Sequence, residues 1–248
     1  MSADVQKTRF RIPSNLTETG KKLMILLSLF YILELILDSW FGLPVVTLLQ
    51  LYPFEDDRFM VHQFFTHPFI QHPQSPLHFL LTLLMFYFFS GPVERSIGTR
   101  RFLAFFLIAT YGGALCGLCF SNIQGFNLPF FGIMPGLLAM LVVFGLLSPD
   151  MMVLLFFIVP VKARLISYGA IIVVFLGFLS KTSPGATYQL GGIFLGYLYV
   201  NGLKNTLESN KLYLNYLYRQ EQKRRSRFRV IDGLKEEKEE NDDKPTYH

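Results

Sequence analysis

Long apolar runs separated by short charged loops constrain this chain more than any other feature. Six runs are long and apolar enough to read as membrane spans of about 30 Å: Leu23–Trp40, Leu77–Ser90, Phe102–Phe120, Leu128–Leu147, Leu165–Leu179 and Tyr188–Leu203. A soluble domain alternates apolar and polar residues more evenly. Here 51% of residues are hydrophobic and only 17% charged, with the charges crowded into the ends and a few loops. The run Met151–Pro160 is too short to span and ends in proline, which suits interfacial or re-entrant backbone.

The basic residues orient these spans. Lys7, Arg9, Arg11, Lys21 and Lys22 precede the first, Arg95, Arg100 and Arg101 lie between the second and third, and Lys162 and Arg164 lie between the fourth and fifth. The opposite side holds only Arg58 and Lys181, against Glu55, Asp56 and Asp57. Cytoplasmic loops carry the excess of lysine and arginine, so both termini are expected in the cytoplasm. The chain divides into a cytoplasmic segment 1–22, a six-span membrane domain 23–203, a juxtamembrane basic helix 204–229 and a charged tail 230–248 expected to be disordered. The first twenty residues lack the apolar core and cleavage site of a signal peptide.

The chain carries a net charge of +5, and its densest basic stretch is residues 204–229, with eight lysines and arginines against two glutamates. Lys223, Arg224, Arg225, Arg227 and Arg229 form a polybasic cluster that fits anionic lipid at the cytoplasmic face, or a stop-transfer anchor that binds nothing specific. No recognisable nucleic-acid module accompanies them.

One turn holds the candidate chemistry. Gly132-Ile133-Met134-Pro135-Gly136 has the shape of a nucleophile turn leading into a helix, with proline where a serine would react. Around it stand Phe65-Thr66-His67 in the first long loop, His78 at the second span, Glu94 and Gly98 in PVERSIG, Arg101-Phe102-Leu103 at the third span, and a glycine-rich sixth span. In order and spacing, over about residues 60–203, this pattern resembles the rhomboid intramembrane serine proteases. The resemblance implies an all-α, six-helix rhomboid-like bundle. It also implies a catalytic serine in G-x-S-G at the top of helix four, a histidine base in H-x-x-G-x-x-x-G of helix six, and an oxyanion-stabilising H-x-x-x-N in helix two.

Carried onto this sequence, the serine position is Pro135, followed by Gly136, and the base position is Gln189, followed by Gly192 and Gly196. His78 is kept, but Thr82 stands where asparagine is expected. Serine attack needs a hydroxyl that loses its proton to a base. Proline has neither a hydroxyl nor the backbone N–H that often helps hold an oxyanion. A glutamine carboxamide takes no proton near neutral pH. Proline near a helix start leaves the fold feasible. The small residues of the sixth span allow close helix approach.

Other residues carry paired readings. Cys116 and Cys119 form C-x-x-C inside an apolar helix, where packing is favoured over redox chemistry. His62, His67, His72 and His78 lack the carboxylate or cysteine companions of a metal site, so neither metal nor cofactor is expected. Glu34 and Asp38 share a face of the first span; an intramembrane carboxylate is a functional candidate, with a structural pairing inside the bundle as the favoured alternative. Tyr168 and Tyr188 read as packing residues.

The sequence thus leads to a rhomboid-like pseudoprotease that binds transmembrane helices of other membrane proteins without cleaving them. The alternatives are an active intramembrane serine protease with a non-standard site, for instance a loop histidine meeting Ser121, and a small transporter or channel on a reused bundle. The segment RRSRFRVIDG resembles tails of bacterial rhomboid relatives and implies a bacterial plasma membrane.

Overall fold

The computed structural model describes residues 16–71, 75–124, 128–155, 159–180 and 185–202. Among these the chain is mostly helical. The elements are α1 (Glu18–Ser39), α2 (Val45–Leu49), α3 (Gln63–Thr66), a 3-10 turn (His67–Phe69), α4 (Pro76–Ile97), α5 (Thr99–Gln124), α6 (Met134–Leu147), β1 (Met152–Leu155), β2 (Val159–Lys162) and α7 (Ala163–Leu179). A further helix, α8, occupies 186–202. Residues Met1–Val200 form one compact unit and Asn201–His248 a second. The cytoplasmic segment up to Asn15, the basic cluster Lys223–Arg229, the tail 230–248 and His72 lie outside the described residues.

Among the described residues, two helices, Pro76–Ile97 and Thr99–Phe120, are long and apolar enough to cross a membrane. The apolar helices α6 and α7 are shorter, at 14 and 17 residues. Large side chains lie open on several faces: Ile25 is 60% exposed on α1, Leu80 60% on α4 and Val173 69% on α7. So much open apolar surface suits a hydrocarbon solvent rather than water.

α6 is the centre of the fold. Eleven of its 14 residues, Pro135 to Gly145, are buried, and it packs against α4, α5 and α7. Glycines set the closest approaches. A Cβ on Gly196 of α8 would lie 2.9 Å from Ala139 of α6 and from the Phe105 ring of α5. A Cβ on Gly145 would strike the Ser167 side chain of α7, whose hydroxyl donates to the Leu141 carbonyl at 2.9 Å.

The PVERSIG segment joins α4 to α5. Gly98 closes α4 at φ +86°, and its N–H bonds the Glu94 carbonyl at 2.7 Å. The buried Glu94 carboxylate accepts from Thr99 Oγ1 at 2.7 Å and from Thr17 Oγ1, the residue that caps α1. One carboxylate therefore ties three helices at one end of the bundle. Arg101 points outward and is exposed.

Two expectations need correction. The fourth helix begins at Met134 rather than Leu128. Phe130 is held in an antiparallel bridge with Leu51, with backbone bonds of 2.7 and 2.9 Å, and Gly132 turns the chain at φ +76°. Those bonds keep the segment before Met134 out of the helix. The fold is also not purely α. The run Met151–Pro160 enters a hairpin in which Met152 pairs with Lys162 and Leu154 with Pro160. Proline is tolerated there because a two-stranded hairpin has only edge strands.

Candidate functional site

The turn before α6 is built by three separated segments. Gly132 N–H donates to the His67 carbonyl at 2.8 Å, and Tyr188 of α8 donates its hydroxyl to the Gly132 carbonyl at 2.6 Å. The Tyr188 ring stacks on Phe130 at 5.2 Å between centroids. Both polar groups of the glycine are thus spoken for, one by the long loop and one by α8. With φ at +76° the position favours glycine, because other residues strain there.

His67 sits fully buried in an aromatic box, edge-on to Tyr111 at 5.7 Å and to Tyr188 at 5.9 Å. Its Nδ1 lies 2.8 Å from the Phe64 carbonyl, which makes that nitrogen the donor. Burial pulls its pKa down to about 4, so the ring is neutral at physiological pH. Four residues on, Gln71 donates its backbone N–H to Glu34 Oε2 at 2.9 Å. Glu34 is buried, with its other oxygen unpartnered among the described residues, while Asp38 is half-buried. This is the structural pairing the sequence favoured for Glu34: it fastens the long loop to α1.

Pro135 is buried in the first turn of α6, where its missing N–H costs no helical bond. Its ring lies between two glycines. A Cβ on Gly113 of α5 would come within 2.7 Å of the Pro135 Cβ, and one on Gly192 of α8 would collide with the same atom. Gly136 is pressed against the Thr110 side chain of α5, and the Thr110 hydroxyl is buried without a partner among the described residues.

Gln189 precedes Gly192 by one helical turn. It is half-buried and lines a cavity of about 400 Å³ together with His78, Gln50, Tyr188, Phe130 and Met134. His78 is exposed. Thr82 does not line this cavity; it is buried and donates its hydroxyl back to the His78 carbonyl at 3.0 Å. The four positions carried over by resemblance are thus divided. Gln189 and His78 share a cavity, Pro135 packs behind it against Gly192, and Thr82 is turned into its own helix.

The cavity's described lining holds one imidazole and two carboxamides, and no serine, cysteine or carboxylate. The Tyr188 hydroxyl is spent on Gly132. Such a set can accept and donate hydrogen bonds to a ligand. Elsewhere, Cys116 packs against Gly191 and Cys119 is exposed, both as free thiols. No metal-holding cluster of histidine, cysteine and carboxylates occurs among the described residues. The Ser121 side chain lies outside them.

Sequence reasoning missed Gly113, Gln71 and the hydroxyl of Tyr188. The Gly112-Gly113 pair inside an apolar helix was the available signal for the first, and Tyr188 stood next to the residue already singled out.

The family model described as "Eukaryotic integral membrane protein (DUF1751)" matches residues 21–216, most of the chain. No match is found among curated proteins. The family match overturns the expectation of a bacterial plasma membrane. The basic tail segment behind that expectation has a composition that any anionic membrane surface favours, so it carries no kingdom signal.

Proposed function

The chain belongs to the eukaryotic integral membrane protein family DUF1751, and from that premise we propose that it is a non-cleaving, rhomboid-like binder of transmembrane helices. In this reading α1, α4, α5, α6, α7 and α8 are six spans with both termini cytoplasmic. α6, about 21 Å long at 1.5 Å per residue, then stops short of one membrane surface. The irregular turn before it would lie at membrane depth, which is tolerated only where protein buries it. Phe130 and Ile133, 5% and 2% exposed, meet that condition.

The observation that carries the proposal is the Pro135 ring wedged between Gly113 and Gly192. At the position where the resemblance puts a nucleophile, the bundle holds an inert ring, and the turn that would present it is retained by His67 and Tyr188. A binder needs the frame and not the reaction. The clients are transmembrane helices of other proteins, and the basic tail adds affinity for anionic lipid.

Photocrosslinkers placed along the outer faces of α4 and α7 in native membranes should trap helical clients at uncut length. The full-length protein should remain unlabelled by a serine-reactive fluorophosphonate. Saturable labelling, or an intramembrane cut in a trapped client, would replace this reading with the protease one.

A further inference from the structure

A second cavity of about 690 Å³ lies away from Pro135, between α7 and α8 with α6 behind it. α7 presents Arg164, Ser167, Tyr168 and Ile171 to it. α8 presents Leu190, Ile193, Phe194 and Tyr197. Both sets fall at i, i+3, i+4, i+7, the spacing of one helical face. Two helices therefore turn complete stripes toward a space that neither fills. Close contact between Gly145 and Ser167 draws α7 onto α6 and leaves the gap on the α8 side. Phe194 and Tyr168, 59% and 54% exposed, leave the cleft open laterally.

The geometry points to this cleft as a site for one acyl chain of an anionic phospholipid, with its headgroup at Arg164. Charge at the mouth decides the occupant, and an acyl chain is thin enough to run along the space between the two helices. At the mouth, Arg164 and Lys162 stand 3.0 and 3.9 Å from the single carboxylate of Asp150. Two cations against one anion leave a net positive charge, all three side chains being at least 46% exposed. Basic pockets between membrane helices take anionic headgroups for this reason. The site rests on the membrane character of the family and is independent of client binding along the outer faces of α4 and α7.

The test uses full-length protein in phosphatidylcholine vesicles containing phosphatidylserine with a photoreactive acyl chain, the labelled residues being mapped by mass spectrometry. Labelling should concentrate on Ile171 and Ile193 over Val173, which lies outside the cleft on α7. Unlabelled phosphatidylserine should displace the probe, and added phosphatidylcholine or inorganic phosphate should not. Arg164→Gln, at an exposed position, should lower cleft labelling about fivefold, the factor for one cation near an anionic surface. Asp150→Asn should raise it. Ile193→Trp should fill the cleft and abolish labelling. Equal labelling of Val173 and Ile193, no preference for phosphatidylserine, or an unchanged signal in both charge variants would reduce the cleft to bulk lipid contact and overturn the assignment. A client helix crosslinked within the cleft would overturn it as well.

Discussion

Gly192 of α8 and Pro135 of α6 stand so close that a Cβ on the glycine would collide with the Cβ of the proline ring. The same Cβ would also lie 2.8 Å from the Ala109 carbonyl of α5. Three helices therefore meet at a point where one methyl group has no room.

Gly192→Ala should destabilise the protein by about 1–3 kcal/mol, the usual cost of overpacking a filled core. Gly169→Ala on α7, where a Cβ meets nothing within 4 Å, should be neutral or mildly stabilising. Thermal unfolding of the two variants in the same detergent gives the comparison. Equal melting points would show that α8 sits farther from α6.

Tyr188→Phe keeps the stack on Phe130 but leaves the Gly132 carbonyl without its donor. A loss of about 1–3 kcal/mol is expected for a buried acceptor left unpaired. Gly132→Ala should cost roughly 1–2 kcal/mol through its positive φ alone. Both variants should loosen the turn before α6, read as faster hydrogen exchange at Gly132 and Ile133.

His67 gives stability a pH dependence. The folded pKa of about 4 lies below the ordinary 6.5, so between those values the unfolded chain binds the extra proton. Stability is then fully present above about pH 6.5 and falls as the pH drops toward 4, by about 3 kcal/mol at 1.36 kcal/mol per unit. His67→Phe should flatten the fall in melting temperature between pH 7 and pH 4.5. An unchanged slope would move the effect to other groups.

Glu34→Ala removes the acceptor for the Gln71 N–H and should cost about 1–3 kcal/mol, with Glu34→Gln nearly restoring it because the carboxamide oxygen still accepts. Ion flux through reconstituted protein that is lost in Glu34→Gln, with melting unchanged, would instead support the transporter reading.

Glu94 accepts hydroxyl bonds from Thr17 and Thr99 at once. Glu94→Gln turns one acceptor oxygen into a donor and should cost about 1–3 kcal/mol. Protease cleavage near Leu16 and Thr17 should rise first, because that is where α1 loses its tie to α4.

Much of the frame was legible because membrane solvation writes itself into composition. Runs around Leu23, Leu77, Phe102, Leu165 and Tyr188 each became a helix, since every backbone group in hydrocarbon must bond internally, although α1 starts five residues before the expected Leu23 and α4 runs seven past the expected Ser90. The errors fell where backbone bonding is non-local. No pattern within residues 128–133 announces that Leu51, 79 residues earlier, will pair with Phe130. The hairpin at Met152 and Val159 likewise depends on pairing across the chain. The bacterial assignment failed because a polybasic segment reports on lipid charge and not on organism.

The sequence by itself determined that Pro135 has no hydroxyl and Gln189 no titrating nitrogen, because those are properties of single side chains. It also determined that Gly192 and Gly196 leave room for a neighbour. Only the tertiary structure decided what comes close: Pro135 at Gly192, Ala139 at Gly196, the Tyr188 hydroxyl on the Gly132 carbonyl, and an open cleft where α7 and α8 turn their stripes toward each other. The reason is that a side chain's chemistry is local, whereas close contact is the joint outcome of several helices packed at once.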